Sequence, residues 1–120
     1  MITLALTMCL VPCLVPWDVR FGDQFNVLSQ GWILLRLVHG GYFKDVHCGI
    51  PCRSKNWGGE PESRNWSHVL GLPCLSEHQS IVADTGNALA DFTICLCLLV
   101  YLCEGYFSLE NPLLSWLWAR

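Results

Sequence analysis

The sequence is poor in charge. Lys and Arg number 7, Asp and Glu number 10, and charged residues make up 14% of 120. With 52% apolar residues, this composition excludes an intrinsically disordered chain, which needs low hydrophobicity and high charge. A net charge of −3 excludes a nucleic-acid binder that relies on phosphate neutralisation alone, since counterion release needs many cations. No segment recurs three times at a period of 20–50 residues, which excludes a solenoid. No uninterrupted apolar run reaches the roughly 20 residues that span a bilayer; residues 92–103 come nearest. The apolar stretch at residues 1–15 has no Lys or Arg ahead of it, is broken by Pro12 and followed by Pro16, and lacks an Ala-x-Ala cleavage site. A buried helix or strand, with no membrane span, is expected for both stretches. The length fits one domain that buries roughly two-thirds of its unfolded surface.

Cysteine and tryptophan, by contrast, are abundant. The eight cysteines are Cys9, Cys13, Cys48, Cys52, Cys74, Cys95, Cys97 and Cys103. An even count suits a disulfide scaffold. Such scaffolds are usually shorter and poor in core residues, whereas this chain has six Trp and long Leu-rich runs. Cys95 and Cys97 sit inside an apolar run, where Cys behaves as a small hydrophobe. Reduced, mostly buried thiols and an intracellular location are expected.

Hydrophobic patterning predicts strands alternating with helices. Residues 13–17 read as a buried strand closed by Asp18, and residues 21–29 as a polar loop. Ser29 is the expected cap of a helix over residues 31–39, stopped by Gly40-Gly41. A strand over residues 45–48 runs into Gly49-Ile50-Pro51-Cys52. Residues 53–68 form the one long irregular stretch, of the kind that is usually functional or disordered. Ser76, with Gln79 three residues on, has capping-box spacing. It opens a helical region from Glu77 to about Cys103, with an interruption expected near Gly86. A strand over residues 106–109 ends in Glu110-Asn111-Pro112, and an apolar piece over residues 113–118 follows. This alternation points to an α/β fold with a mostly parallel sheet.

Ligands of such sheets bind outside the carboxyl ends of the strands. Asp18, Cys52 and Glu110 all fall at expected strand ends, so one rim would gather a thiol and two carboxylates. Other readings of the same region are blander. Arg53, Lys55 and Arg64 lie among Glu60 and Glu62 and read as a solvated loop. His47, Cys48 and Cys52 have no second closely spaced pair to complete a zinc site, so no metal is expected. Cys48 reads as a strand residue facing a neighbouring layer.

Gly49-Ile50-Pro51-Cys52, Gly71-Leu72-Pro73, Gly86-Asn87-Ala88-Leu89-Ala90 and residues 107–118, Phe-Ser-Leu-Glu-Asn-Pro-Leu-Leu-Ser-Trp-Leu-Trp, follow one another in a familiar order. Over residues 17–118 they resemble the cytosine-C5 methyltransferase-like domains found in polyproteins of mobile elements. The resemblance implies a Rossmann-like three-layer sandwich, S-adenosylmethionine as cofactor and DNA as partner. It implies Cys52 as nucleophile, Glu110 as the acid on the cytosine ring, and Asp18 as ligand of the cofactor ribose. The position of the family's adenine-contacting acid is taken by Asn26. In that chemistry a thiolate adds at C6 and makes C5 enamine-like, so that C5 attacks the methyl sulfonium. A carboxylic acid at N3 neutralises the charge developing on the ring. The base would be flipped out of a duplex to reach Cys52, with Arg53 and Lys55 placed to lower the thiol pKa.

The chain departs from that pattern in four places. The aromatic-x-Gly-x-Gly turn after the first strand is missing; 17 residues precede Asp18, whereas a βαβ unit takes about 30. Asn26 replaces an acid, Arg53 replaces the usual Gln, and no target-recognition region follows the Glu-Asn-Pro segment before Arg120. The expectation is a single truncated domain over residues 1–120 that lacks its central strand and is inactive alone. Its open strand edges and Trp-rich end predict self-association. Two alternatives stay open: a small cysteine-rich secreted or membrane-associated protein without enzymatic role, and a decayed reading frame.

Overall fold

In the computed structural model the residues described are 18, 20, 22–50 and 63–111. The expected strand at 13–17, the turn at Pro51-Cys52 and the segment at 113–118 lie outside them. A 3-10 turn at Asp23–Phe25 leads into helix α1, Val27–His39. Strand β1 is Asp45–Gly49, helix α2 is Glu77–Leu102 and strand β2 is Tyr106–Glu110. The two strands pair in parallel, so the architecture is mixed α/β. Parallel neighbours need a long crossover, and α2 lies within it.

Helix α1 starts earlier than the sequence suggests. Asn26, not Ser29, is the cap: its backbone is extended and its side chain accepts from Leu28 N at 3.0 Å. Ser29 sits in the first turn, its hydroxyl donating to the Asn26 carbonyl at 3.3 Å. Both residue types make good caps, and the 3-10 turn before Asn26 brings the chain in at the extended geometry a cap requires.

Helix α2 opens with the capping box its sequence predicts. Ser76 Oγ accepts from Gln79 N at 3.3 Å, and Gln79 Oε1 accepts from Ser76 N at 3.0 Å. The helix then runs unbroken through Gly86, against expectation. One internal Gly costs about 1 kcal/mol, too little to interrupt a helix held by packing. Its buried positions are Ala83, Gly86, Ala90, Thr93, Leu96, Cys97 and Val100, a stripe of three- and four-residue steps. Small residues in that stripe allow close approach from neighbouring chain. The same logic applies to Gly31 of α1, where a Cβ would collide with the Phe92 ring.

The core has two parts. Val38, Leu96 and Val100 form one, with Leu35, Phe43, Val46, Phe92 and Leu99 packed around them. Ile50 and Ala90 form the other, with Leu89 and Leu109. Cys48 packs against the first, facing the helical layer as its strand position suggests. Burial of Leu96 and Val100 contributes about 1.5–3 kcal/mol per side chain.

The segment before α2 is tied down from below. Ser63 O accepts from Leu72 N at 2.9 Å, closing a loop over residues 63–72, and Asn65 Oδ1 accepts from Ser67 N and His68 N. Arg64, expected in solvent, is instead 1% exposed. Its guanidinium donates to Asn87 Oδ1 at 2.9 Å, to the Ala83 carbonyl at 2.9 Å and to the Val69 carbonyl. The arginine was misread because local charge says nothing of the helix backbone that its long side chain reaches. The expectation of mostly buried thiols is likewise corrected. The described cysteines are free thiols, but Cys74 and Cys95 are exposed, and only Cys97 is fully buried.

The apolar stretch at residues 92–103, too short to span a membrane by itself, belongs to the 26-residue α2. By length and composition alone α2 could cross a bilayer, with about a third of its most apolar window buried inside the protein.

Candidate functional site

Alternation along the two strands sorts their side chains onto two faces. In the parallel register, Val46 pairs with Phe107 and Cys48 with Leu109, and this face meets the helices. Asp45, His47 and Gly49 pair with Tyr106, Ser108 and Glu110, and all six are exposed. Parallel sheets are usually covered on both faces. Among the described residues a helical layer covers one face, and the other carries four ionisable side chains and a serine.

The carboxyl ends of the strands form a rim. Gly49 lies opposite Glu110, so Ile50 and Asn111 leave the sheet side by side. Asn111 Nδ2 donates to the Ile50 carbonyl at 3.1 Å, which fastens the residue that follows one strand to the residue that follows the other. Ile50 is buried beneath this bond, against Ala90 of α2. Asn111 Oδ1 is also buried and meets no hydrogen-bond donor among the described residues. An unmet buried acceptor costs about 1–3 kcal/mol, so its place on the rim calls for a donor.

Glu110 lies on the open face at the rim, its side chain 73% exposed. His47 Nε2 stands 3.5 Å from Glu110 Oε2, and His47 Nδ1 is 2.8 Å from Ser108 Oγ. Neither partner was singled out with Glu110 from the sequence. The signal was the period-two spacing itself: 45, 47, 49 and 106, 108, 110 share one face once the strands are parallel. The same spacing separates His47 from Cys48, which point to opposite faces and cannot share a metal ion. Among the described residues no three His, Cys, Asp or Glu side chains gather as metal ligands.

The other sequence-selected residues fall elsewhere. Cys52 lies outside the described residues, two positions beyond Ile50. Asp18 is engaged locally: its carboxylate accepts from Arg20 Nε at 2.7 Å and from Arg20 N at 2.9 Å. These hydrogen bonds hold the Asp18 carboxyl below the ordinary carboxylate range. Asn26 uses its side-chain oxygen as the α1 cap. No described contact joins Asp18 or Asn26 to the rim.

Beneath the sheet, Cys48 and Cys97 neighbour each other. Burial, reinforced by the Cys97 thiol, pushes Cys48 up to about 12. Burial also raises Cys97, with the Cys48 hydrogen bond acting the other way. Both are therefore protonated at neutral pH and unsuited to nucleophilic work. Two depressions lie away from the rim, one lined by Tyr101, Leu102 and Tyr106 and the other by Leu35, His39 and Leu99.

Chemically, the rim offers a solvent-facing carboxylate backed by an imidazole and a hydroxyl, beside an amide fixed to the Ile50 carbonyl. Comparison of the chain with protein-family models, curated proteins and solved structures finds no match.

Proposed function

We propose that this rim is the nucleophile-and-acid part of an S-adenosylmethionine-dependent cytosine-C5 methyltransferase-like site, on a Rossmann-like sheet. One observation carries the reading. The parallel register that sets Gly49 opposite Glu110, with Asn111 fastened to the Ile50 carbonyl, brings Ile50, which Pro51-Cys52 follow in sequence, beside the Glu110-Asn111 step. Cys52 would add to C6 of a flipped-out cytosine in DNA, and Glu110 would protonate N3. Asp18 and Asn26 would serve the cofactor. The reading sets the protein inside the cell with reduced thiols, associating with itself through its open strand edges.

The test uses an oligonucleotide whose target base is 2-pyrimidinone, which is electron-poor at C6 and captures a thiolate without methyl transfer. Intact-mass measurement should find one adduct, mapped to Cys52, absent in Cys52→Ser and slowed in Glu110→Gln. Adducts spread over the exposed Cys74 and Cys95, or none at all, would refute the reading.

A membrane-associated protein is the second reading, favoured by the length and apolarity of α2. Against it, α2 buries seven positions in the core and accepts hydrogen bonds from Arg64 at Ala83 and Asn87. Partition into the detergent phase on cloud-point separation would favour it; recovery in the aqueous phase opposes it.

A further inference from the structure

We propose that His47 and Ser108 are positioning residues for the Glu110 carboxylate, a role resting on the reading of Glu110 as the acid of the site. The three side chains lie on one exposed face of adjacent strands. Ser108 and Glu110 are two residues apart on β2, and His47 lies opposite Ser108 on β1. Asp45, Gly49 and Tyr106 share that face. The ring is held between two partners, Ser108 Oγ at 2.8 Å from Nδ1 and Glu110 Oε2 at 3.5 Å from Nε2.

The hydrogen-bonding inventory fixes what each atom does. Whether Glu110 is ionised or carries its acid proton on Oε1, Oε2 only accepts, so the ring nitrogen facing it at 3.5 Å carries the proton. In the neutral ring Nδ1 is then an acceptor, and the Ser108 hydroxyl donates to it. If the ring takes a second proton, the same hydroxyl turns and accepts from Nδ1–H. A serine can do both, so the imidazole keeps its orientation in either state. Glu110 would otherwise swing through solvent on three rotatable bonds. Holding Oε2 toward the sheet leaves Oε1 free at the rim, where the ring of a bound base would stand. The pair is solvent-exposed, so its effect is modest: about threefold to fivefold on a rate that depends on the Glu110 orientation.

The test has two arms on the full-length chain. Long-range proton–nitrogen spectra of the His47 ring, at a pH where it is neutral, should show the proton on Nε2 and an Nδ1 shift displaced by the serine hydroxyl. Ser108→Ala should abolish that displacement, and Ser108→Thr, which keeps a hydroxyl and suits a strand, should retain it. The β1 and β2 amide signals report that each variant folds. In the second arm, His47→Gln should slow 2-pyrimidinone capture at Cys52 about threefold to fivefold. A proton on Nδ1, or an Nδ1 signal indifferent to Ser108→Ala, overturns the positioning role. So does capture at the wild-type rate in His47→Gln. If the spectra are as expected but no capture occurs even in the wild type, the pyrimidine reading falls and the arrangement of the three side chains stands.

Discussion

Replacing Arg64 by Met tests the least expected part of the fold. The guanidinium is 1% exposed and bonds Asn87 Oδ1, the Ala83 carbonyl and the Val69 carbonyl. Replacing a buried ion pair with hydrocarbon is often neutral, because both desolvated charges leave together. Here the acceptors are uncharged and two are backbone, so they stay behind, the Ala83 carbonyl in a buried place and the other two half-buried. Each buried acceptor that loses its donor costs at least about 1 kcal/mol. Three such losses set an upper bound of about 3 kcal/mol, because the Ala83 carbonyl keeps its intrahelical partner, the other two acceptors are half-buried and the charge is no longer buried. Against a total stability of about 5–15 kcal/mol, that is a large fraction. At about 4 °C per kcal/mol for a chain of this size, the melting midpoint should fall by up to about 12 °C. Urea unfolding followed by far-UV circular dichroism should show a lower midpoint at unchanged slope. Hydrogen exchange should accelerate first at Ser67 and His68, in the loop that Arg64 fastens. A variant within about 1 kcal/mol of wild type, or more stable than it, would refute the staple.

Four further perturbations have signs fixed by the structure. Glu104 holds a φ of 57°, a left-handed conformation at the exit of α2, so Glu104→Gly should raise stability by about 1 kcal/mol in the same urea assay. Asn26→Ala should cost about 1 kcal/mol and Ser29→Ala little, the reverse of what the sequence suggests. Brief maleimide labelling at pH 7.5 should modify Cys74 and Cys95 first among the described cysteines and leave Cys48 and Cys97 until the chain unfolds. The raised Cys48 pKa also fixes a pH dependence. The folded state resists ionisation up to about 12 while an unfolded thiol ionises near 9, so this contribution is complete below about pH 9 and is lost as pH rises toward 12. A denaturation midpoint flat from pH 8 to pH 11 in a Cys48→Ser comparison would contradict it.

Much of the scaffold was legible because its signals are local. The Ser76–Gln79 pair opens α2 where the spacing puts it, and residues 45–48 and 106–109 each form a strand, extended by one residue. Parallel pairing followed from the helix between them. What stayed hidden depends on contacts distant in sequence. Nothing near Arg64 announces that α2 lies within reach 19 residues on. The start of α1 turned on competition between two equally good caps three residues apart. In the His47–Ser108–Glu110 cluster, His47 and Ser108 lie 61 residues apart in sequence and meet only once the register is known. Cys95 lies in an apolar run, yet the helical stripe turns it outward. The second helical layer that the resemblance implies, on the face bearing His47 and Glu110, is not found among the described residues.

The rim exists only if Gly49 and Glu110 are partners in a parallel ladder. Nuclear Overhauser contacts in the isotope-labelled chain measure this directly. Cross-strand amide and α-proton contacts should link Val46 to Phe107 and Cys48 to Leu109 in the parallel pattern. The Asn111 side-chain amide should lie close to Ile50 and exchange slowly. An antiparallel pattern, a register displaced by one residue, or a spectrum without cross-strand contacts would contradict the shared rim and the function proposed for it.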